Sequence, residues 1–95
     1  MSERYPVYIS SDGKGYYATI PDFRNYTEGK TPEDLMHMAE DAICSLAIAK
    51  EDLGQPIPEP FSEEYTPEAN ETLTYVDVDF AAYRHTIGSK VSGKA

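Results

Sequence analysis

The sequence predicts an α+β domain: a three-stranded antiparallel meander, one long helix, a fourth strand parallel to the first, and a short C-terminal helix. Three observations carry that prediction. Apolar and polar positions alternate over residues 5–9 and 16–20, on either side of a turn-forming stretch. Apolar residues then recur at intervals of three and four from Leu35 to Leu53. Alternation resumes from Leu73 to Phe80. With 95 residues, 40% of them hydrophobic, the chain makes one domain, burying roughly 60–65% of its unfolded surface around a single core. The domain is expected over residues 1–87, with 88–95 a small, polar, flexible tail.

Each element has a local cause. Tyr5, Val7 and Ile9 share one face of the first strand, and Asp12-Gly13 supplies the positive φ of a hairpin. Tyr16 to Ile20 returns, and Pro21 stops it because proline cannot donate to a ladder. Asn25 to Gly29 forms a short third strand. Thr31 caps the helix, Pro32 suits its first turn, and Glu33 and Asp34 complement the dipole. Its apolar stripe is Leu35, Met38, Ala39, Ala42, Ile43, Leu46, Ala49 and Leu53; Gly54 and Pro56 end it. At 1.5 Å per residue it is roughly 33 Å long, more than the strands it covers. Residues 55–60, proline-rich and extended, are expected to fold back with Phe61 onto its last turns through Ile57 and Phe61. Residues 62–71 form an acidic loop. In the fourth strand Val76, Val78 and Phe80 face one way, and Tyr75, Asp77 and Asp79 the other. A right-handed crossover then makes it parallel to an earlier strand. Residues 81–87 form the short terminal helix.

The charge is lopsided. The chain carries 17 acidic and 8 basic residues, net −9. Residues 31–80 hold thirteen acids and one base, Lys50, whereas residues 1–30 balance. Such a surface repels phosphate backbones and steers basic partners. One cysteine, Cys44, permits no intrachain disulfide and fits a reduced, cytoplasmic setting. No apolar run is long enough for a membrane span, and the N-terminus lacks a signal-peptide pattern.

Few residues invite catalysis. His37 and His85 have no metal-spaced companions and read as surface histidines. Cys44 lies beside the helical stripe and reads as a buried, inert thiol. Asp77 and Asp79 share a strand face and could approach a divalent ion, although paired acids are common on solvated strands. The eight tyrosines exceed what one small core needs. Those on the strands' outer face read either as cross-strand packing or as an association surface.

Taken together, Tyr5-Pro-Val-Tyr-Ile9, Gly15-Tyr-Tyr-Ala-Thr-Ile-Pro-Asp-Phe23, Thr27-Glu-Gly-Lys-Thr-Pro-Glu-Asp-Leu35, Ala39-Glu-Asp-Ala42, Gly54-Gln-Pro-Ile-Pro-Glu-Pro60 and Val76-Asp-Val-Asp-Phe-Ala-Ala-Tyr-Arg84 resemble the HicB-like antitoxin family of HicAB toxin–antitoxin systems, over residues 4–84. The resemblance implies a partial ribonuclease H-like fold with the fourth strand beside the first. It implies neutralisation of a small basic HicA-like toxin that cleaves mRNA, homo-oligomerisation, and no catalytic residue, metal or cofactor. Many members continue into a DNA-binding domain; this sequence stops where such a linker would start, so no direct DNA binding is expected. The expected partner contacts are Tyr8, Tyr17, Asp22, Phe23, Asp77 and Asp79, with the helix acids Glu33, Glu40 and Asp41 next. The competing readings are a stand-alone oligomeric protein of this fold, and a metal-dependent nuclease using Asp77 and Asp79.

Overall fold

A computed structural model describes residues 3–84. Strand β1 (Glu3–Ser11) pairs with β2 (Tyr16–Ile20), which passes through a 3₁₀ turn (Pro21–Phe23) into β3 (Asn25–Gly29). Helix α1 (Pro32–Asp52) follows, then β4 (Thr72–Val78). Residues 80–84 are helical; the rest of the expected terminal helix, and the tail, lie outside the described residues. The sheet order is β3-β2-β1-β4.

The local chemistry works as the sequence implies. Asp12 Oδ1 accepts from the Lys14 and Gly15 amides, and Gly13 takes φ +84°. At the start of α1, Thr31 Oγ1 accepts from the Asp34 amide while the Asp34 carboxylate accepts from the Lys30 amide, a reciprocal cap. At its end, Gly54 at φ +73° sends its amide to the Glu51 carbonyl, and the Gln55 amide reaches the Lys50 carbonyl. Those two bonds form a Schellman motif. The core lies between α1 and one sheet face. Tyr5, Val7, Ala18, Ile20, Val76 and Val78 meet Leu35, Ala39, Ile43, Cys44 and Ala47 there. The buried stripe is narrower than expected. Met38 and Leu53 are exposed, Ala47 joins the core, and Met36 packs against its margin.

Two expectations are corrected. The fourth strand is antiparallel to the first, in the register Glu3↔Val78 to Ile9↔Thr72. The cause is the connection. Residues 55–71, the strap, do not enter the sheet where α1 ends. The Asp22 carboxylate accepts from the amides of Phe61, Ser62 and Glu63, so the chain turns under the β2–β3 end of the sheet. It then crosses the face opposite α1, where Tyr65 lies against Tyr8, ring centres 4.7 Å apart and planes tilted by 42°. Seventeen residues at up to about 3.3 Å each are long enough to climb the sheet before β4 descends. Phe61 is the second correction. It does not cover the last turns of α1 but lies against Tyr75, ring centres 5.9 Å apart, on the opposite side of the sheet. Ile57 does pack against the margin of the core.

Candidate partner-binding face

The register defines the sheet face turned away from α1. Arg4, Tyr8 and Ser10 of β1 sit opposite Asp77, Leu73 and Tyr17, respectively. Tyr8 also opposes Thr19, and Thr19 opposes Tyr26. Tyr75 is opposite Pro6 on the same face. Opposed residues share a face, so Tyr8, Tyr17, Tyr26 and Tyr75 all point away from the helix. The strap covers part of this face. Its Tyr65 hydroxyl donates to Glu71 at 2.7 Å, and the Thr19 hydroxyl donates to the same carboxylate at 3.4 Å. The hydrogen bond to Glu71 raises the Tyr65 hydroxyl above its ordinary pKa. Beyond the strap's cover, Tyr26 is 69% exposed, Phe61 59%, Tyr75 46% and Leu73 42%.

Charges line this face. Arg4 holds Asp77 through two parallel bonds, Nε to Oδ1 at 2.7 Å and Nη2 to Oδ2 at 3.2 Å, and its guanidinium lies 6.0 Å from the Tyr75 ring centre. The pairing lowers the Asp77 carboxyl below its usual range, chiefly through the Arg4 hydrogen bond. At the other end Arg24, in the left-handed region at φ +50°, reaches Glu63 at 3.3 Å. A cleft of about 410 Å³ opens there, lined by Thr19, Arg24, Tyr26, Glu63, Glu64 and Tyr65 among others.

The six residues expected at the interface do not form one patch. Tyr8 is half-buried under Tyr65. Tyr17 is half-buried and donates its hydroxyl to Asp12. Asp22 is 5% exposed and fully engaged with the strap. Phe23 is buried, edge-on to Tyr5 at 5.2 Å. Asp77 is exposed on the outer face, where Arg4 holds it. Asp79 is exposed but caps the terminal helix, accepting from the Ala82 amide. Asp77 and Asp79 therefore serve different neighbours. Among the described residues, no group of three or more His, Cys, Asp or Glu side chains could hold a metal ion. The exposed aromatics that define the face, Tyr26, Phe61 and Tyr75, were not singled out as contacts. Their alternation with buried positions was readable for Tyr26 and Tyr75; nothing local to Phe61 shows that the strap changes faces.

The helix side is different. Asp41 accepts from the Tyr83 hydroxyl, and Arg84 bridges Glu51 at 2.7 Å and Asp52 at 3.1 Å, so the terminal helix occupies those acids. Burial pushes the Cys44 thiol up to about 11, reinforced by Glu40, Asp41 and Asp79. That makes it a poor nucleophile at neutral pH. His37 is exposed on α1, and His85 lies outside the described residues. No helix among the described residues is long and apolar enough to cross a membrane.

No protein-family model matches the chain, and no curated protein matches it either. Solved structures do. A chain of a toxin–antitoxin complex from Streptococcus pneumoniae is similar at TM-score 0.66 and 17% identity, covering 87% of this chain and 73% of that one. A chain of a HicA3 and HicB3 toxin–antitoxin complex is similar at TM-score 0.62 and 25% identity, covering 80% of this chain and 98% of the other. The fold described above is thus one that occurs in toxin–antitoxin assemblies.

Proposed function

We propose that this chain is the antitoxin of a toxin–antitoxin pair, and that it binds and neutralises a small, basic, HicA-like toxin that cleaves mRNA. The observation that carries this reading is the similarity, over most of the chain, to chains of two toxin–antitoxin complexes, one of them at 25% identity. The charge distribution supports it. A ribonuclease must present cationic side chains to its phosphate-rich substrate, and a protein of net −9 competes for the same groups. Inhibition then needs no chemistry from this chain. Covering the toxin's cationic site excludes the RNA. β3 and β4 form the two edges of the sheet, and edge pairing is the route by which this chain would self-associate.

The test is co-expression with a small, basic, HicA-like protein. Growth arrest by that protein alone, relieved by this chain, and a complex that survives purification are the expected results. Unrelieved arrest, with the two proteins eluting separately, would overturn the reading.

A further inference from the structure

Resting on that reading, we infer that the toxin docks on the sheet face opposite α1, with Phe61 and Tyr75 as its apolar anchor and the cleft between Tyr26 and Tyr65 as a socket for one of its lysine or arginine side chains. Four of the six large apolar side chains exposed among the described residues lie on this face: Tyr26, Phe61, Leu73 and Tyr75. The others, Met38 and Leu53, are isolated on α1 and its end. Concentrations of this kind mark interaction surfaces.

The anchor is held in place before any partner arrives. Phe61 sits at φ +61°, a conformation that side-chain-bearing residues seldom adopt. It stays there because Asp22 takes its amide at 3.0 Å and the next two amides at 2.9 and 3.1 Å. The ring is thereby fixed against Tyr75 while remaining mostly exposed. Ordering an aromatic in advance lowers the entropic cost of association.

Charge selects the occupant. Glu28, Glu63, Glu64, Glu68 and Asp77 border or cross the face, and its two arginines, Arg4 and Arg24, already pair with Asp77 and Glu63. A second copy of this chain packed face to face would set these carboxylates against their own kind. A basic protein meets them with complementary charge. In the cleft, Tyr26 and Tyr65 supply aromatic lining, and Glu64, which makes no ion pair among the described residues, supplies an acceptor. Aromatic faces and a carboxylate are the chemistry that holds a guanidinium or ammonium group. The acids of α1 are less available, because Tyr83 and Arg84 occupy Asp41, Glu51 and Asp52.

The experiment uses the co-purified toxin in a catalytically inactive form and measures its affinity for four forms of the full chain. Phe61→Ser with Tyr75→Ser is expected to weaken binding by about tenfold or more. Glu63→Gln with Glu64→Gln slows association and flattens its dependence on salt. Glu33→Gln with Glu40→Gln, on α1, stays within about twofold of the wild type. Should the double aromatic variant fail to fold, Tyr75→Ser alone, on the exposed side of β4, makes the same test. Undiminished binding by the aromatic variants, or loss confined to the α1 variant, overturns the docking face and leaves the antitoxin reading standing. Absence of wild-type binding overturns both. A wild-type dimer that Tyr75→Ser dissociates in sedimentation would give the face to a second copy, and overturn the inference too.

Discussion

Asp22 is the one buried charged side chain among the described residues, and its hydrogen bonds go to the strap. The amides of Phe61, Ser62 and Glu63 and the Ser62 hydroxyl all donate to it, so it does from a distance what a helix cap does locally. Tyr5 makes the second tie: the hydroxyl of this buried side chain donates to the Pro58 carbonyl at 2.6 Å. Removing either leaves part-buried hydrogen-bonding groups of the strap without these partners. Asp22→Ala is expected to cost about 2–4 kcal/mol in urea unfolding, with Asp22→Asn losing less because one acceptor oxygen remains. Tyr5→Phe is expected to cost about 1–2 kcal/mol. Unchanged midpoints would mean that the strap is not held by these contacts. Asp22 also shows the limit of sequence reading at this scale. An aspartate after a proline reads as an exposed turn residue, and its partners lie about forty positions away.

At the scale of elements, the meander, the helix limits and the faces of β1 and β2 were legible because their causes are local: alternation, Asp12-Gly13, the Thr31 cap and the Gly54 stop. The direction of β4 was not. Local pattern fixes which side of a strand is buried, and Val76 and Val78 are indeed buried, but that pattern is the same in either direction. Direction was decided by the route of the strap. Gly29 shows a tighter requirement between elements. A Cβ placed there would lie 2.6 Å from the Leu35 nitrogen and 2.7 Å from its Cα, both backbone atoms of the first turn of α1. Gly29→Ala must therefore push β3 and α1 apart. We expect a loss of about 2 kcal/mol or more, at the severe end of single substitutions, whereas Gly29 on a free edge would tolerate alanine. A midpoint shift of a few tenths of a kcal/mol would show that this approach is looser than described.

At the scale of the molecule, ionisation sets the stability window. Burial raises the Tyr5 hydroxyl from 10.0 to about 12 and the Cys44 thiol from 9.0 to about 11. Both groups hold their protons more tightly folded than unfolded. Their contribution is thus complete below pH 9 and is lost as pH rises, between 9 and about 11 for Cys44 and between 10 and about 12 for Tyr5. Asp12 and Asp77 are lowered, by the Lys14 amide and by Arg4 respectively. Their contribution is present above the unfolded carboxylate range and is lost as pH falls, but both are exposed and add little. Denaturation midpoints should therefore fall steeply above pH 9, and Tyr5→Phe together with Cys44→Ala should flatten that fall. A steep decline that persists in the double variant would place its cause elsewhere. The likeness to chains of toxin–antitoxin complexes, by contrast, was legible only through the resemblance of short motifs spread over the chain. The outer sheet face was legible as tyrosine-bearing, but which part of it stays accessible was not. The strap hides Tyr8, Asp22 is spent on folding, and Phe61 emerges on a face that its neighbours in sequence do not predict.

Cleavage of a defined RNA by a small, basic, HicA-like protein, followed while this chain is titrated in, puts the antitoxin reading to its most direct test. Cleavage should fall to background at a fixed stoichiometric ratio, and raising the salt concentration should slow the onset of inhibition more than it weakens the final block. Cleavage that continues undiminished with this chain in excess, or a chain that itself degrades the RNA when magnesium is added, would contradict it.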